Sequence, residues 1–281
     1  MSFVPFRVRL VSPNALSLAR QPPRWPRRFF AIGAGVSLAV WTAVGALPPD
    51  LQQDPKVHEA IEAETRGEAA RALKLFLQAD AAHPRHAYLL QEISQQYSDL
   101  SEDAATPEEK LQLCATALAF ASRALALEPN NAVNVTAMAI CYGKLALLGN
   151  TRTKVEDTRQ VKLYAERALA LDPHDALAHF VLGRWHYEVV QHSRTARFFA
   201  GVFYGQLPPA SLAEAVRELR RATELDPTSP LYFAELGFAL RDNGESGAAR
   251  AAWARALALK ADDRYESEAQ KRATEALAAK K

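Results

Sequence analysis

The 281-residue chain is 49% hydrophobic and 23% charged, the balance of a folded protein, and is long enough for one large domain or two small ones. Its formal charge of +2 hides an asymmetry: residues 1–49 carry six arginines and no Asp or Glu, which leaves 28 basic against 32 acidic residues beyond them. A mildly acidic body excludes nucleic-acid binding through a basic stripe, because neutralising phosphates needs an excess of Lys and Arg.

The first predicted element is an uncharged run of 19 residues, Phe29 to Leu47, long enough to cross a bilayer as a helix. Arg27-Arg28 precede it, Val44-Gly45-Ala46 offers small residues for signal cleavage, and Pro48-Pro49 break the helix. Pro26-Arg27-Arg28-Phe29-Phe30 also resembles the twin-arginine export signal, with Pro26 in place of the usual Ser or Thr. We therefore expect residues 1–49 to be a targeting segment, either a signal or a membrane anchor. It would place the rest of the chain beyond or on a membrane, on the periplasmic side if the source is bacterial. A mitochondrial transit peptide is the alternative, since residues 1–30 are acid-free and arginine-bearing.

Beyond it, one phrase recurs: Arg123-Ala-Leu-Ala-Leu-Glu-Pro129, Arg167-Ala-Leu-Ala-Leu-Asp-Pro173, Arg221-Ala-Thr-Glu-Leu-Asp-Pro227 and Arg255-Ala-Leu-Ala-Leu-Lys-Ala261, with a weaker copy at Gln78 to Pro84. Each reads as the end of an amphipathic helix stopped by a proline that lacks the next N–H. The closing positions are 45, 44, 54 and 34 residues apart. The last interval is the tetratricopeptide period of about 34, and the others are that period plus insertions. A small residue stands five before each closing position (Ala79, Ala124, Ala168, Ala222, Ala256); Phe76, Leu219 and Trp253 stand eight before, and Tyr164 nine before. Helices that cross closely need such a pairing of small and bulky side chains. The pattern predicts an all-α, tetratricopeptide-type right-handed solenoid over residues 54–281. It would comprise about five helical hairpins and a capping helix, Asp263 to Lys281, with Tyr265, Ala269, Ala273 and Leu277 facing inward. Insertions are expected inside the units at Leu100–Pro107, Leu148–Gln160 (a turn, then a charged stretch) and Val189–Ala210.

From about Tyr88 to Leu277 the chain resembles the regulator of microtubule dynamics family, a tetratricopeptide-like group. The likeness rests on Leu182-Gly-Arg-Trp-His-Tyr-Glu188, the aromatic and basic segment after it, Leu207-Pro-Pro-Ala-Ser211 and Glu214-Ala215, supported by Glu108-Glu109-Lys110 and Asp262-Asp263. The resemblance implies a scaffold or interaction protein, often with an N-terminal membrane or organelle-targeting segment.

The sequence contains no nucleophile-and-base arrangement, phosphate-cradling glycine loop or metal motif, so we expect neither enzyme activity nor a cofactor. Glu108-Glu109 and Asp262-Asp263 read as charges at helix starts, offsetting the macrodipole. His179, His186 and His192 could share a face, but their spacing is too loose for a metal site. Cys114 and Cys141 read as two small buried hydrophobes, or as a single bond joining adjacent repeats if the domain is exported.

In tetratricopeptide arrays the second, fifth, ninth, twelfth and thirteenth positions of each first helix face the concave groove. Carried onto this chain, that register selects Tyr88, Gln91, Gln95 and Asp99; Thr136 and Lys144; Leu177, Phe180, Arg184, Tyr187 and Glu188; and Phe238, Arg241 and Asp242. It predicts a mixed polar and aromatic groove for a protein or peptide, built chiefly by Gln91, Gln95, Lys144, Arg184, Tyr187, Glu188 and Arg241. Arg184 could grip a partner carboxylate, or simply pair with Glu188 four residues on as a solvated surface pair. The insertion Arg194–Gly205, with Phe198, Phe199, Phe203 and Tyr204, reads as a plug packed on the solenoid. Its alternative is a lipid-contacting helix that would make the protein a membrane tether.

Overall fold

The computed structural model describes residues 47–191 and 205–279. The targeting segment up to residue 46, and the aromatic insertion apart from Gly205, lie outside the described residues. Eleven α-helices, and no strand, form the described part: α1 (Pro55–Thr65), α2 (Ala69–Ala82), α3 (Ala87–Leu100), α4 (Pro107–Leu127), α5 (Ala132–Leu148), α6 (Thr151–Leu171), α7 (Ala176–Gln191), α8 (Leu212–Leu225), α9 (Pro230–Asp242), α10 (Ser246–Ala258) and α11 (Arg264–Ala278). They pair as five consecutive hairpins, each packed on the next, with α11 against α9 and α10 at the end. This is the expected α-solenoid with its cap.

The recurring phrase accounts for how each unit closes. Helices α4, α6 and α8 each stop two residues before the closing proline. The last turn is satisfied by a cap N–H donating to the small residue's carbonyl, at 3.0 Å for Glu128 to Ala124, 2.8 Å for Asp172 to Ala168 and 2.9 Å for Asp226 to Ala222. The phrase's arginine links neighbouring units: Arg167 Nη2 donates to the Pro129 carbonyl (2.5 Å) and Arg255 Nη2 to the Pro227 carbonyl (3.4 Å). Pro129 and Pro227 therefore end their own helices and present acceptors to the next unit.

Within a hairpin the small positions set the approach. Ala79, Ala124, Ala168, Ala222 and Ala256 are fully buried, and Ala60, Ser94 and Ala139 are buried on the first helices of their units. Gly183 and Gly237 stand at the same place in the last two. A Cβ on Gly183 would lie 2.7 Å from Leu219 Cγ and 3.0 Å from its backbone nitrogen, and one on Gly237 would lie 2.3 Å from Trp253 Nε1. Ser94 spans the gap in its own hairpin by donating to the Ala117 carbonyl (2.8 Å). Trp253 Nε1 likewise donates to the Ala234 carbonyl (3.1 Å).

The insertions differ in form. Thr106 caps α4, its hydroxyl accepting from the Glu109 N–H (3.1 Å) while Glu109 accepts from the Ala105 N–H (2.9 Å), a reciprocal cap with two acidic residues in the first turn. The charged stretch after Asn150 is helical. Asn150 accepts from the Arg152 and Thr153 N–H groups, and residues 151–160 become the first turns of α6. Both α4 and α6 run 21 residues, against 14 for α2, so two insertions are spent largely on longer second helices. Among the described residues α4 alone is long and apolar enough to cross a membrane. It packs on α3 and α5, however, and buries Cys114, Ala117, Ala121 and Ala124. Cys114 and Cys141 are free and buried.

Replacing Gly183 by Ala forces a methyl into the Leu219 backbone and should cost ~1–3 kcal/mol, the usual penalty for overpacking. Gly247, where an added Cβ meets nothing within 4 Å, is the control. Gly247→Ala should be neutral or stabilising, by up to about 1 kcal/mol. Equal melting temperatures for the two variants would contradict this packing account.

Candidate functional site

The first helices α3, α5, α7 and α9 present their polar positions to the inner side of the stack, and α11 returns across that side. Its first turn meets the end of α3. Arg264 Nη1 pairs with Asp103 (2.5 Å), Arg264 Nη2 donates to the Asp99 carbonyl (2.8 Å), and the Tyr265 hydroxyl donates to Asp99 Oδ1 (3.2 Å). These contacts join residues 161 to 166 positions apart in a stack whose units otherwise touch neighbours. The solenoid therefore closes on itself through a small polar clasp.

Behind the clasp sits Lys144, 2% exposed. Its Nζ donates to the Ser98 carbonyl (2.7 Å), pairs with Glu102 (3.0 Å) and lies 5.8 Å from the Tyr265 ring centroid. Burial opposes its charge, but Tyr265, Asp99 and Glu102 together hold it above the usual lysine range.

A second cluster fills the inner side of the last two units. Arg184, 3% exposed, donates from Nη2 to Glu188 (2.6 Å) and from Nη1 to Glu235, and Glu235 also receives Arg272 Nη1 of α11 (2.7 Å). Tyr187 and Gln191 both donate to Asp242 Oδ2, at 2.7 and 2.6 Å, and Arg241 donates to Asp242 Oδ1 (2.7 Å). Arg241 is exposed, over the Phe238 ring at 5.4 Å.

The expected groove thus needs correction at two residues. Arg184 and Lys144 do not offer free charge to a partner, because each is buried and held by internal carboxylates. The Arg184–Glu188 pair exists, but as part of a buried network with Glu235 rather than as a solvated surface pair. The physical reason is α11: an open groove would leave these charges in water, whereas the returning helix covers them and brings Arg264, Tyr265 and Arg272. Tyr187, Glu188 and Arg241 lie in or beside the same cluster, while Gln91 and Gln95 lie elsewhere.

Gln91 and Gln95 face a narrow cleft between α3 and α5 with about 20 Å³ of space for water, lined also by Ser94, Ser98, Asp99, Ala137, Ile140 and Cys141. Gln91 and Asp99 are 4% and 7% exposed, and Gln91 Nε2, Gln95 Oε1 and Asp99 Oδ2 have no hydrogen-bond partner. Burial raises the Asp99 carboxyl to about 6 even with Lys144, Tyr265 and Arg264 beside it. Cys141 lies 3.7 Å from the Ser94 hydroxyl, its thiol pushed up to about 11 by burial.

Sequence reasoning missed the carboxyl pair on the next face of α3. Glu64 and Glu92 are both buried; Glu64, raised first by burial and then by Glu92, keeps its proton and donates it to Glu92. Gln96 Nε2 donates to Glu64 Oε1 (2.6 Å). The signal available was Glu92 standing beside the apolar Leu89, Leu90 and Ile93. Of the three histidines, His192 lies outside the described residues. His179 bonds to Glu218 (2.7 Å) and to the Pro173 carbonyl (3.1 Å), and no group of three metal-ligating side chains occurs among the described residues.

The family described as regulator of microtubule dynamics protein 1-3 matches residues 56–281. Regulator of microtubule dynamics protein 3 of Xenopus laevis is 27% identical over 177 residues, 63% of this chain and 37% of that protein. Regulator of microtubule dynamics protein 1 of Mus musculus is 26% identical over 162 residues, 57% of this chain and 52% of that protein. The chain thus spans between about a third and a half of these relatives' length. Among solved structures, a thermophilic TPR protein of Thermus thermophilus superposes with a TM-score of 0.60 at 18% identity, covering 79% of this chain and 97% of that one. That likeness concerns the fold alone.

Removing Arg184 leaves Glu235 and Glu188 buried without it, so Arg184→Ala should destabilise the fold by ~3–5 kcal/mol, the usual cost of breaking a buried pair. A loss below about 1 kcal/mol in a denaturant melt would mean that the pair is solvated after all. A second prediction concerns pH. Folded Glu64 keeps a proton that the unfolded chain releases above about 4.3. Folding therefore takes up a proton, and this contribution to stability is lost as pH rises. Glu64→Gln, which keeps a donor without titrating, should raise the melting temperature at pH 8 and change it little near pH 4.5; the reverse pattern would contradict the assignment.

Proposed function

The chain belongs to the regulator of microtubule dynamics family, and on that premise we propose that it is a non-enzymatic helical-repeat scaffold that binds a protein or peptide on the inner face of α3 and α5. One observation carries the reading: Gln91 Nε2, Gln95 Oε1 and Asp99 Oδ2 line a cleft on that face, buried and without partners. Buried polar groups are almost always satisfied, so three of them around one space mark a stretch of the inner face whose hydrogen bonds the chain itself does not complete. The tetratricopeptide-type fold supports the same reading, since such solenoids present an extended concave surface. The second cluster, at Arg184 and Glu235, serves architecture in this account.

Photo-crosslinking tests the proposal. A crosslinker at Ile140, in the cleft, should capture protein from the native host, and one at Leu163, 57% exposed on α6, should not. Capture from Leu163 alone would place the interaction surface on the outer side and overturn the reading. We also propose that residues 1–49 direct the scaffold to or across a membrane. A reporter fused to residues 1–50 should be exported or membrane-bound, and one that stays soluble in the cytoplasm would contradict this.

A further inference from the structure

We propose that the corner between α2 and α3, together with the strap of residues 47–54, is the surface of the solenoid that rests on the membrane. The partner is a lipid surface carrying anionic headgroups. The inference rests on the proposal that residues 1–49 direct the chain to a membrane, and it adds which face meets that membrane and why.

The first reason is the lack of slack. The uncharged run ends at Leu47, and the solenoid takes hold of the chain at that residue. Gln52 Nε2 donates to the Leu47 carbonyl (3.0 Å), and the Leu51 N–H donates to the Pro48 carbonyl (2.9 Å). Leu51 is fully buried, in the apolar cluster that contains Val57, Phe76 and Leu89. Two histidine–carboxylate contacts tie the strap to the corner: Asp54 with His83 (2.9 Å) and Asp50 with His86 (3.2 Å). From α1, the His58 ring bonds to the Gln52 carbonyl (2.7 Å). A flexible linker of about ten residues would let a domain wander roughly 15–20 Å from its anchor. Here the strap occupies the place of a linker and is fixed at both ends. A helix that crosses the bilayer and ends at Leu47 therefore sets this corner down at the headgroups.

The second reason is charge. At the later corners a carboxylate stands before the closing proline, at Glu128, Asp172 and Asp226. The first corner reads His83-Pro84-Arg85-His86 instead. Arg85 is exposed and takes a left-handed φ of 66°, alone among the described non-glycine residues. Such a conformation persists only where the surroundings impose it, and the strap holds the histidines on both sides. Neither Arg85 nor Lys56, exposed at the start of α1, has a side-chain partner among the described residues. The nearby carboxylates of Asp50 and Asp54 are engaged by the histidines, which leaves the two cations for anionic headgroups. The acidic later corners would be repelled by the same surface, so the contact is confined to the first corner.

The experiment uses the full chain reconstituted into vesicles of phosphatidylcholine with one-fifth phosphatidylglycerol and a share of headgroup-spin-labelled lipid. A fluorophore is placed on a single introduced cysteine, either Ala82→Cys at the corner or Ala70→Cys, about 18 Å further along the same helix. Both sites are exposed, and the unaltered chain, whose Cys114 and Cys141 are buried, sets the labelling background. Quenching should be strong at position 82 and several-fold weaker at position 70. Arg85→Glu should reduce the quenching at 82. A Gly-Ser spacer of about ten residues between Leu47 and Pro48, which alters no residue of the solenoid, should bring it down to the level at 70. Equal quenching at both sites, stronger quenching at 70, or quenching at 82 unchanged by the spacer would overturn the strapped corner while leaving membrane attachment in place. A chain that does not join the vesicles would overturn the membrane role of residues 1–49, and this inference with it.

Discussion

The structure depends on how closely the two helices of each hairpin approach. Where Gly183 faces Leu219 and Gly237 faces Trp253, even one methyl group would collide. Buried alanines at the equivalent closing positions keep the other hairpins close. Close pairing lets each unit bury the next one's apolar face, and the arginine-to-proline-carbonyl links hold consecutive units at a fixed offset. Repeated through five hairpins, that offset brings the first turn of α11 within side-chain reach of α3.

Closure has a consequence for electrostatics. Inner-face charges that would be solvated in an open groove are covered, and the chain must neutralise them from within. It does so at Arg184 with Glu188 and Glu235, at Lys144 with Glu102, and at Glu64 by keeping a proton. Each is a costly burial offset by specific partners, which is how ionic groups persist in low-dielectric interiors. Gln91, Gln95 and Asp99 differ from these: each keeps one buried polar atom without a partner inside the chain. On the proposed function, this is the stretch of the inner face that meets a partner.

Much of this is legible in the sequence. The Arg-Ala-Leu-Ala-Leu phrase and its proline place every unit boundary, and the small residues five before each closing position are buried as the packing argument requires. Leu182-Gly-Arg-Trp marks both the family and the tight crossing at Gly183. What no local pattern shows is the return of α11. A register built on single helices treats each groove position as open, so Arg184 and Lys144 read as available. Glu235 lies 51 residues from Arg184 and Tyr265 lies 121 from Lys144, and no local spacing connects them. After the turn at Gly149-Asn150, the Asn150 cap and the apolar Val155, Val161 and Ala165 carry the charged stretch as helix.

The claim most in need of direct measurement is the closure itself. Cysteines introduced at the exposed residues Ala105 and Ser267 would carry spin labels on either side of the clasp, the native Cys114 and Cys141 being buried. Pulsed dipolar spectroscopy on the full chain should then give a single narrow distance distribution, broadened when Arg264→Ala removes the link to Asp103 and the Asp99 carbonyl. A broad distribution with Arg264 in place would mean that the solenoid is open in solution, with Arg184 and Lys144 exposed in a solvated groove.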